Sequence, residues 1–315
     1  MDFFILTIAS LLLVFGLNPA AISEKAKAGS YGLGSGSANH LIPAKRVTFP
    51  YRPKGVELFD PKELSAKEAI VMDEGTGRVL FQKDAYSKRP IASLTKLMTA
   101  LLWFEVDGDL NKTVEIKSED YRDGSIPYFI AGDKVTTKDL LYAGLVASSN
   151  SAMAALVRSS GYASGDFSRL MNSRAQELGM KDTFFAEPTG LDSRNVSTAS
   201  DLYILARNAF GRTEISSATQ LPSYSFKPIN RDSYRQVKST DWLLNSSVNG
   251  GDYKIIGGKT GYIQESDYNF VLKVYNKQKN KDLIIVILGS KEAGARFEEA
   301  KKLTEWAYKS YIWEI

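Results

Sequence analysis

The chain has 315 residues, 43% of them hydrophobic and 24% charged, with a net charge of +4, no cysteine and a single histidine; this is the balance of a folded globular protein with a full core. The missing cysteines exclude disulfides, thiol nucleophiles, cysteine-ligated zinc and a lipid-modified N-terminal cysteine. The one histidine, His40, lies in a Gly/Ser-rich stretch, a poor platform for a Ser-His-Asp triad or a histidine-ligated catalytic metal, and no Lys/Arg run interleaved with aromatics calls for nucleic acid.

In chain order, Phe3 to Leu17 is almost uninterruptedly apolar, and Ala20, Ala21 and Ser23 follow. That is the length of a signal-peptide core and short for a membrane span, although Asp2 stands where a basic residue is usual. Residues 1–23 are therefore read as an export signal, with an N-terminal membrane tether as the alternative. Either one puts the folded part outside the cytoplasm, in the periplasm or on the outer face of the membrane. Gly29 to Ser37 reads as flexible linker, assigned to 24–57, and the folded domain to 58–315. Within it, Ala69–Asp73 and Arg78–Phe81 flank a Gly-rich turn and predict a hairpin. Apolar residues at Leu94, Leu97, Met98, Leu101 and Leu102 predict a helix over Ser93–Phe104 buried round much of its circumference. From about 106 to 210 the patterns are mainly helical, at Thr137–Val146, Ser151–Ser159, Gly165–Leu178 and Thr198–Ala209. Tyr268–Tyr275 and Leu283–Leu288 predict an antiparallel pair across a charged turn, and Arg296–Ile312 a closing helix. Strands at both ends with helices between them imply an α+β fold whose sheet is completed by distant segments.

Three strings carry chemistry: Ser93-Leu94-Thr95-Lys96, Ser148-Ser149-Asn150 and Lys259-Thr260-Gly261. A serine hydroxyl is a poor nucleophile until a neighbouring base takes its proton. Ser93 and Lys96, three apart on a helix, share a face. For Lys96 to be that base near neutral pH its pKa must fall by roughly three, on the order of 4 kcal/mol. Burial, the positive end of a helix starting near Ser93, and the second cation Lys259 all act in that direction. Ser148 is placed to relay a proton between the lysine and a leaving amine, and Asn150 to orient the lysine or the substrate backbone. The same triplet in isolation reads as a helix N-cap. Lys259 and Thr260, on a strand-like run of low bulk through Gly261 and Tyr262, can clasp a terminal carboxylate of a peptide laid along a sheet edge. The backbone N–H groups of Ser93 and Tyr262 are the oxyanion-hole candidates. No metal ligand set and no cofactor motif accompany them.

This trio belongs to penicillin-binding proteins and class A β-lactamases. From about Ala69 to Tyr308 the chain resembles the low-molecular-mass D-alanyl-D-alanine carboxypeptidases. Pro90 to Ala100, Pro188-Thr189-Gly190-Leu191-Asp192 with Ser197 to Leu202, and Ala295-Arg296-Phe297 look like three further blocks of that family. The resemblance implies a β-lactamase/transpeptidase-like fold: an antiparallel sheet flanked by helices, with an inserted helical subdomain at about 106–210. It also implies a serine-type peptidase that cleaves the D-Ala-D-Ala end of peptidoglycan stem peptides through acyl-Ser93 and is acylated by β-lactam antibiotics. Two positions depart from the pattern, Glu187 in place of asparagine and Ser266-Asp267 in place of a small Ala-Gly pair. Three alternatives stay open: a DD-endopeptidase acting on cross-links, a class A-like β-lactamase with Glu187 as its only candidate carboxylate base, and a non-turnover sensor of β-lactams or wall peptides.

Overall fold

A computed structural model describes residues 48–124 and 126–313; the expected export segment 1–23 and the linker up to residue 47 lie outside them. The strands are β1 (Glu68–Asp73), β2 (Val79–Lys83), β3 (Arg89–Pro90), β4 (Thr113–Glu115), β5 (Lys134–Thr136), β6 (Val196–Ser197), β7 (Ser223–Phe226), β8 (Arg235–Lys238), β9 (Tyr253–Ile263), β10 (Asp267–Asn276) and β11 (Lys281–Ser290). The α-helices are α1 (Thr95–Val106), α2 (Thr137–Val146), α3 (Asn150–Ser159), α4 (Ser164–Glu177), α5 (Ala199–Gly211), α6 (Thr213–Thr219) and α7 (Ala295–Ser310). None of these helices is long and apolar enough to cross a membrane.

The main sheet runs β2-β1-β11-β10-β9, each neighbouring pair antiparallel. It therefore joins the first hairpin to the last three strands, and β9 is left as an edge. Side chains alternate across it with period two. Ile284, Val286 and Leu288 enter the core shared with α1 to α6. Leu283, Ile285 and Ile287 enter the core under α7, with Phe297, Leu303 and Ala307. A strand apolar on both faces is what a sheet covered on both sides requires, and it explains the unbroken apolar run of β11.

The hairpin turn between β1 and β2 is held by Asp73, whose Oδ2 accepts the Thr76 N–H at 2.9 Å. Helix α2 opens with a capping box between Thr136 and Asp139, which fixes its start at the residue the pattern predicted. Three features were not expected. The pairs β4–β5 and β7–β8 are two-stranded ribbons of three or four residues each, too short for alternation to register. Helix α1 starts at Thr95, because Ala92–Leu94 forms a 3₁₀ turn ahead of it. Tyr51 already exchanges backbone hydrogen bonds with Ile312, at 3.0 and 2.9 Å, so chain assigned to the linker is tied to the body.

Candidate active site

The nucleophile segment is held from both sides by backbone that tolerates no side chain. Ala92 is at φ +51°, a left-handed conformation costly for a residue with a Cβ. A Cβ on Gly190 would sit 2.1 Å from the Ala92 carbonyl oxygen, and one on Gly261 2.7 Å from the Ile91 carbonyl oxygen and 3.3 Å from the Ser93 nitrogen. Loop 187–191 and the edge strand β9 thus close on Ser93 together. Asn195 ties the loop to the start of α1: its amide donates to Thr95 Oγ1 at 3.0 Å and to the Glu187 carbonyl at 2.8 Å.

Lys96 is wholly buried. Its Nζ lies 2.7 Å from Ser93 Oγ, 2.6 Å from Asn150 Oδ1 and 2.5 Å from the Thr189 carbonyl oxygen. The last two partners can only accept. A neutral amine has two N–H groups and one lone pair, so spending both N–H groups on these carbonyls turns the lone pair to the serine hydroxyl. Burial pushes the Lys96 ammonium down to about 7, against an opposing pull from the Glu187 carboxylate. The geometry and the proton affinity therefore agree on an amine able to accept a proton near neutrality.

Lys259, equally buried, is on β9. Its Nζ donates to Ser148 Oγ at 2.7 Å and to the Thr260 carbonyl at 3.0 Å, which leaves a third N–H with no partner among the described residues. Burial, then repulsion from Lys96 and Arg296, lowers its pKa well below the usual lysine value, and Asp241 acts the other way. Ser148, at φ +58°, is bonded to this second lysine, not to Lys96 as a relay from the base would require. Asn150 does meet Lys96, and its Nδ2 also donates to the Asp123 carbonyl at 2.7 Å.

A cleft of about 400 Å³ opens over these groups, lined among others by Ser93, Ser148, Thr240, Thr260, Tyr262 and Arg296. Tyr262 stands exposed at the rim, stacked on Tyr268 with ring centroids 4.4 Å apart. Thr240 and Arg296 had no role assigned from the sequence. Thr240 shares a 2.6 Å hydrogen bond with Thr260. Arg296 is buried and donates to the carbonyls of Gly261 and Asn269 at 3.2 and 3.3 Å. The only hint of it was its place in the Ala-Arg-Phe block.

The two departures are accounted for. The Glu187 carboxylate accepts the N–H groups of Thr189, Gly190 and Leu191 at 2.6, 2.5 and 2.8 Å, and the Thr189 hydroxyl at 2.6 Å. It organises the loop and has its lone pairs occupied, which a base for a hydrolytic water would need free. Ser266 is buried in the turn after β9, where its hydroxyl accepts the Ile263 N–H at 3.1 Å and its carbonyl accepts Arg89 Nη2 at 3.0 Å. It is not among the residues lining the cleft.

A family model described as D-alanyl-D-alanine carboxypeptidase, peptidase S11, matches residues 56–292. A D-alanyl-D-alanine endopeptidase of Haemophilus influenzae is 31% identical over 247 residues, covering 78% of this chain and 82% of that protein. The D-alanyl-D-alanine carboxypeptidase DacF of Bacillus subtilis is 29% identical over 256 residues, covering 78% of this chain and 63% of that protein. Among solved structures, the Streptomyces K15 DD-transpeptidase superposes with a TM-score of 0.72 at 28% identity, covering 78% of this chain and 98% of that one.

Proposed function

The chain belongs to the D-alanyl-D-alanine carboxypeptidase family, peptidase S11, and is a serine-type hydrolase of peptidoglycan peptides that binds β-lactams; from that premise we propose that Ser93 is its nucleophile and Lys96 its base. Ser93 Oγ attacks the carbonyl carbon between the two D-alanines while its proton passes to the neutral Lys96 Nζ. The oxyanion faces the N–H groups of Ser93 and Tyr262, where one donor is typically worth about 3 kcal/mol. The terminal carboxylate meets the third N–H of Lys259, the Thr260 hydroxyl and Arg296. As the C–N bond breaks, Ser148 gives its proton to the departing D-alanine amine and takes one from the Lys259 ammonium to which it is bonded. Lys96 releases to solvent the proton it took from Ser93 and Lys259 regains one, so the net transfer is from Ser93 to D-alanine. Water then attacks the acyl-Ser93 ester as the neutral Lys96 takes its proton, and Lys96 passes that proton to Ser93 Oγ as the ester C–O bond breaks, which frees the serine and leaves the amine neutral again.

The observation that carries this reading is the 2.7 Å approach of Lys96 Nζ to Ser93 Oγ with both amine hydrogens engaged elsewhere. Its test is to incubate the protein with a diacyl-Lys-D-Ala-D-Ala peptide and with benzylpenicillin, following D-alanine release and intact mass. Released D-alanine with a persistent penicilloyl adduct on Ser93 supports it. Rapid penicillin hydrolysis, or an adduct with no D-alanine released, overturns it in favour of a β-lactamase or a sensor.

Cleavage of cross-links is the second reading, favoured by the endopeptidase names of the Haemophilus influenzae and Pseudomonas aeruginosa relatives. Purified cross-linked muropeptide dimers, offered beside the pentapeptide, decide between them. We also read residues 1–23 as the export segment, retained or cleaved, with work on the wall outside the cytoplasm. The intact mass of the protein recovered from cells, set against the full chain, tests cleavage.

A further inference from the structure

Two glycines precede Lys259 on β9, and they face opposite ways. A Cβ on Gly257 would land 2.4 Å from Phe210, and one on Gly258 2.3 Å from Asp241 Oδ2. Side chains alternate along a strand, so Lys259 shares the Phe210 face and Asp241 lies across the sheet from it. Asp241 is only 4% exposed. Its Oδ1 accepts the Leu243 N–H at 2.9 Å and caps a short 3₁₀ turn. Its Oδ2 is buried with no hydrogen-bond partner among the described residues. Capping does not account for that second oxygen, since asparagine or serine caps as well without burying a charge.

What Asp241 faces is cationic. Lys259 on β9 and Arg296 on α7 both act on it, and Arg296 likewise keeps a buried Nε with no partner among the described residues. The charged groups around Lys259 are Lys96 on α1 and Arg296, which repel its charge, and Asp241, which supports it. Arg296 in turn faces Asp241 and Tyr268 on β10. Among the described residues Asp241 is thus the one acidic group acting on Lys259. Burial pushes Asp241 itself up to about 6, so it carries its charge at neutral pH and above.

Resting on the carboxylate-binding roles given above to Lys259 and Arg296, we propose that Asp241 is a positioning residue, a built-in counter-ion that keeps this cation pair charged while the cleft is empty and so presets it for a free terminal carboxylate. A buried ammonium without an opposite charge sheds its proton, and the resulting amine has little hold on a carboxylate. Gly258, having no side chain, leaves the space beside the strand that the Asp241 carboxylate occupies.

The test is Asp241→Asn, which retains an oxygen for the Leu243 N–H and removes the charge. In profiles of kcat/KM against pH with a D-Ala-D-Ala free acid, the alkaline limb should move to lower pH by about one unit. At pH 8 the KM should rise about tenfold with little change in kcat, and the acid limb should stay in place. An unchanged alkaline limb overturns the proposal. A lowered melting temperature with the limb in place identifies a purely structural residue and overturns it too. Should D241N fail to fold, Asp241→Ser, which also caps, carries the same expectation. Lys259→Ala, measured with the free acid and its C-terminal amide, separates the two levels. Loss of the preference for the acid upholds the carboxylate subsite, so that an unmoved limb then counts against Asp241 alone; retained preference overturns the subsite and this proposal with it.

Discussion

The helical wall of the cleft and its strand wall each bury one lysine completely, but they treat it differently. On the helical wall, Lys96 is surrounded by neutral oxygens from Ser93, Asn150 and Thr189, and the nearby carboxylate of Glu187 is occupied by backbone N–H groups. On the strand wall, Lys259 has a guanidinium neighbour, a buried carboxylate across the sheet and an N–H left over. Burial lowers the proton affinity of both amines. The difference lies in what can restore the charge. In the proposed mechanism nothing that enters the cleft needs Lys96 protonated, whereas a substrate carboxylate would bring Lys259 the opposite charge that favours its ammonium form. On the reading proposed above, one fold makes a base and an anion binder from the same side chain by choosing acceptors in one place and counter-charges in the other.

The contrast can be broken at its common point or at either wall. Ser93→Ala removes the group both walls serve, and D-alanine release should fall on the order of 10⁴-fold or more with no penicilloyl adduct by mass spectrometry. Lys96→Met should cost about 10³-fold in kcat. In the unmodified enzyme, kcat/KM should drop with each pH unit below about 7, because the proton then occupies the lone pair that Ser93 needs. Lys259→Ala should instead act mainly on KM, by about 10²-fold for a free acid, the cost of losing one partner of a buried charge contact. Glu187→Gln sharpens the comparison with the smallest effect. Removing its charge withdraws the one influence among the described residues that raises Lys96, so the acid limb of the profile should move to lower pH, with turnover kept within about tenfold. It should also cost the protein about 1–3 kcal/mol in urea unfolding as the loop loses its acceptor.

Much of this architecture was legible where the pattern is local. The hairpin of β1 and β2, the pair β10–β11 and helices α2 to α5 and α7 follow from alternation, turn residues and 3.6-residue spacing, all read within one segment. The ribbons β4–β5 and β7–β8 were not, because strands of three or four residues show too few alternations. The start of α1 was misplaced by two residues: the 3₁₀ turn at Ala92–Leu94 answers to Gly190 and Gly261, which press on it from remote parts of the chain. At the site, the motif residues were visible as strings. Their partners were not, since Thr189 offers a backbone carbonyl, Ser148 meets Lys259 instead of Lys96, and Asp241, distant in sequence, approaches Lys259 at the glycine that precedes it on β9. Such relations are made by tertiary approach and leave no spacing to read.

The seam between Tyr51 and Ile312 lies at the far margin of the sheet. Beside it the Tyr311 hydroxyl donates to the Leu80 carbonyl of β2 at 2.8 Å, and four strand spacings, about 19 Å, separate β2 from β9. A fusion partner, surface linker or affinity handle joined at either side of that seam would grip the body by the margin opposite the opening. Immobilised this way, the protein would turn β9 and the cleft beside it away from the support.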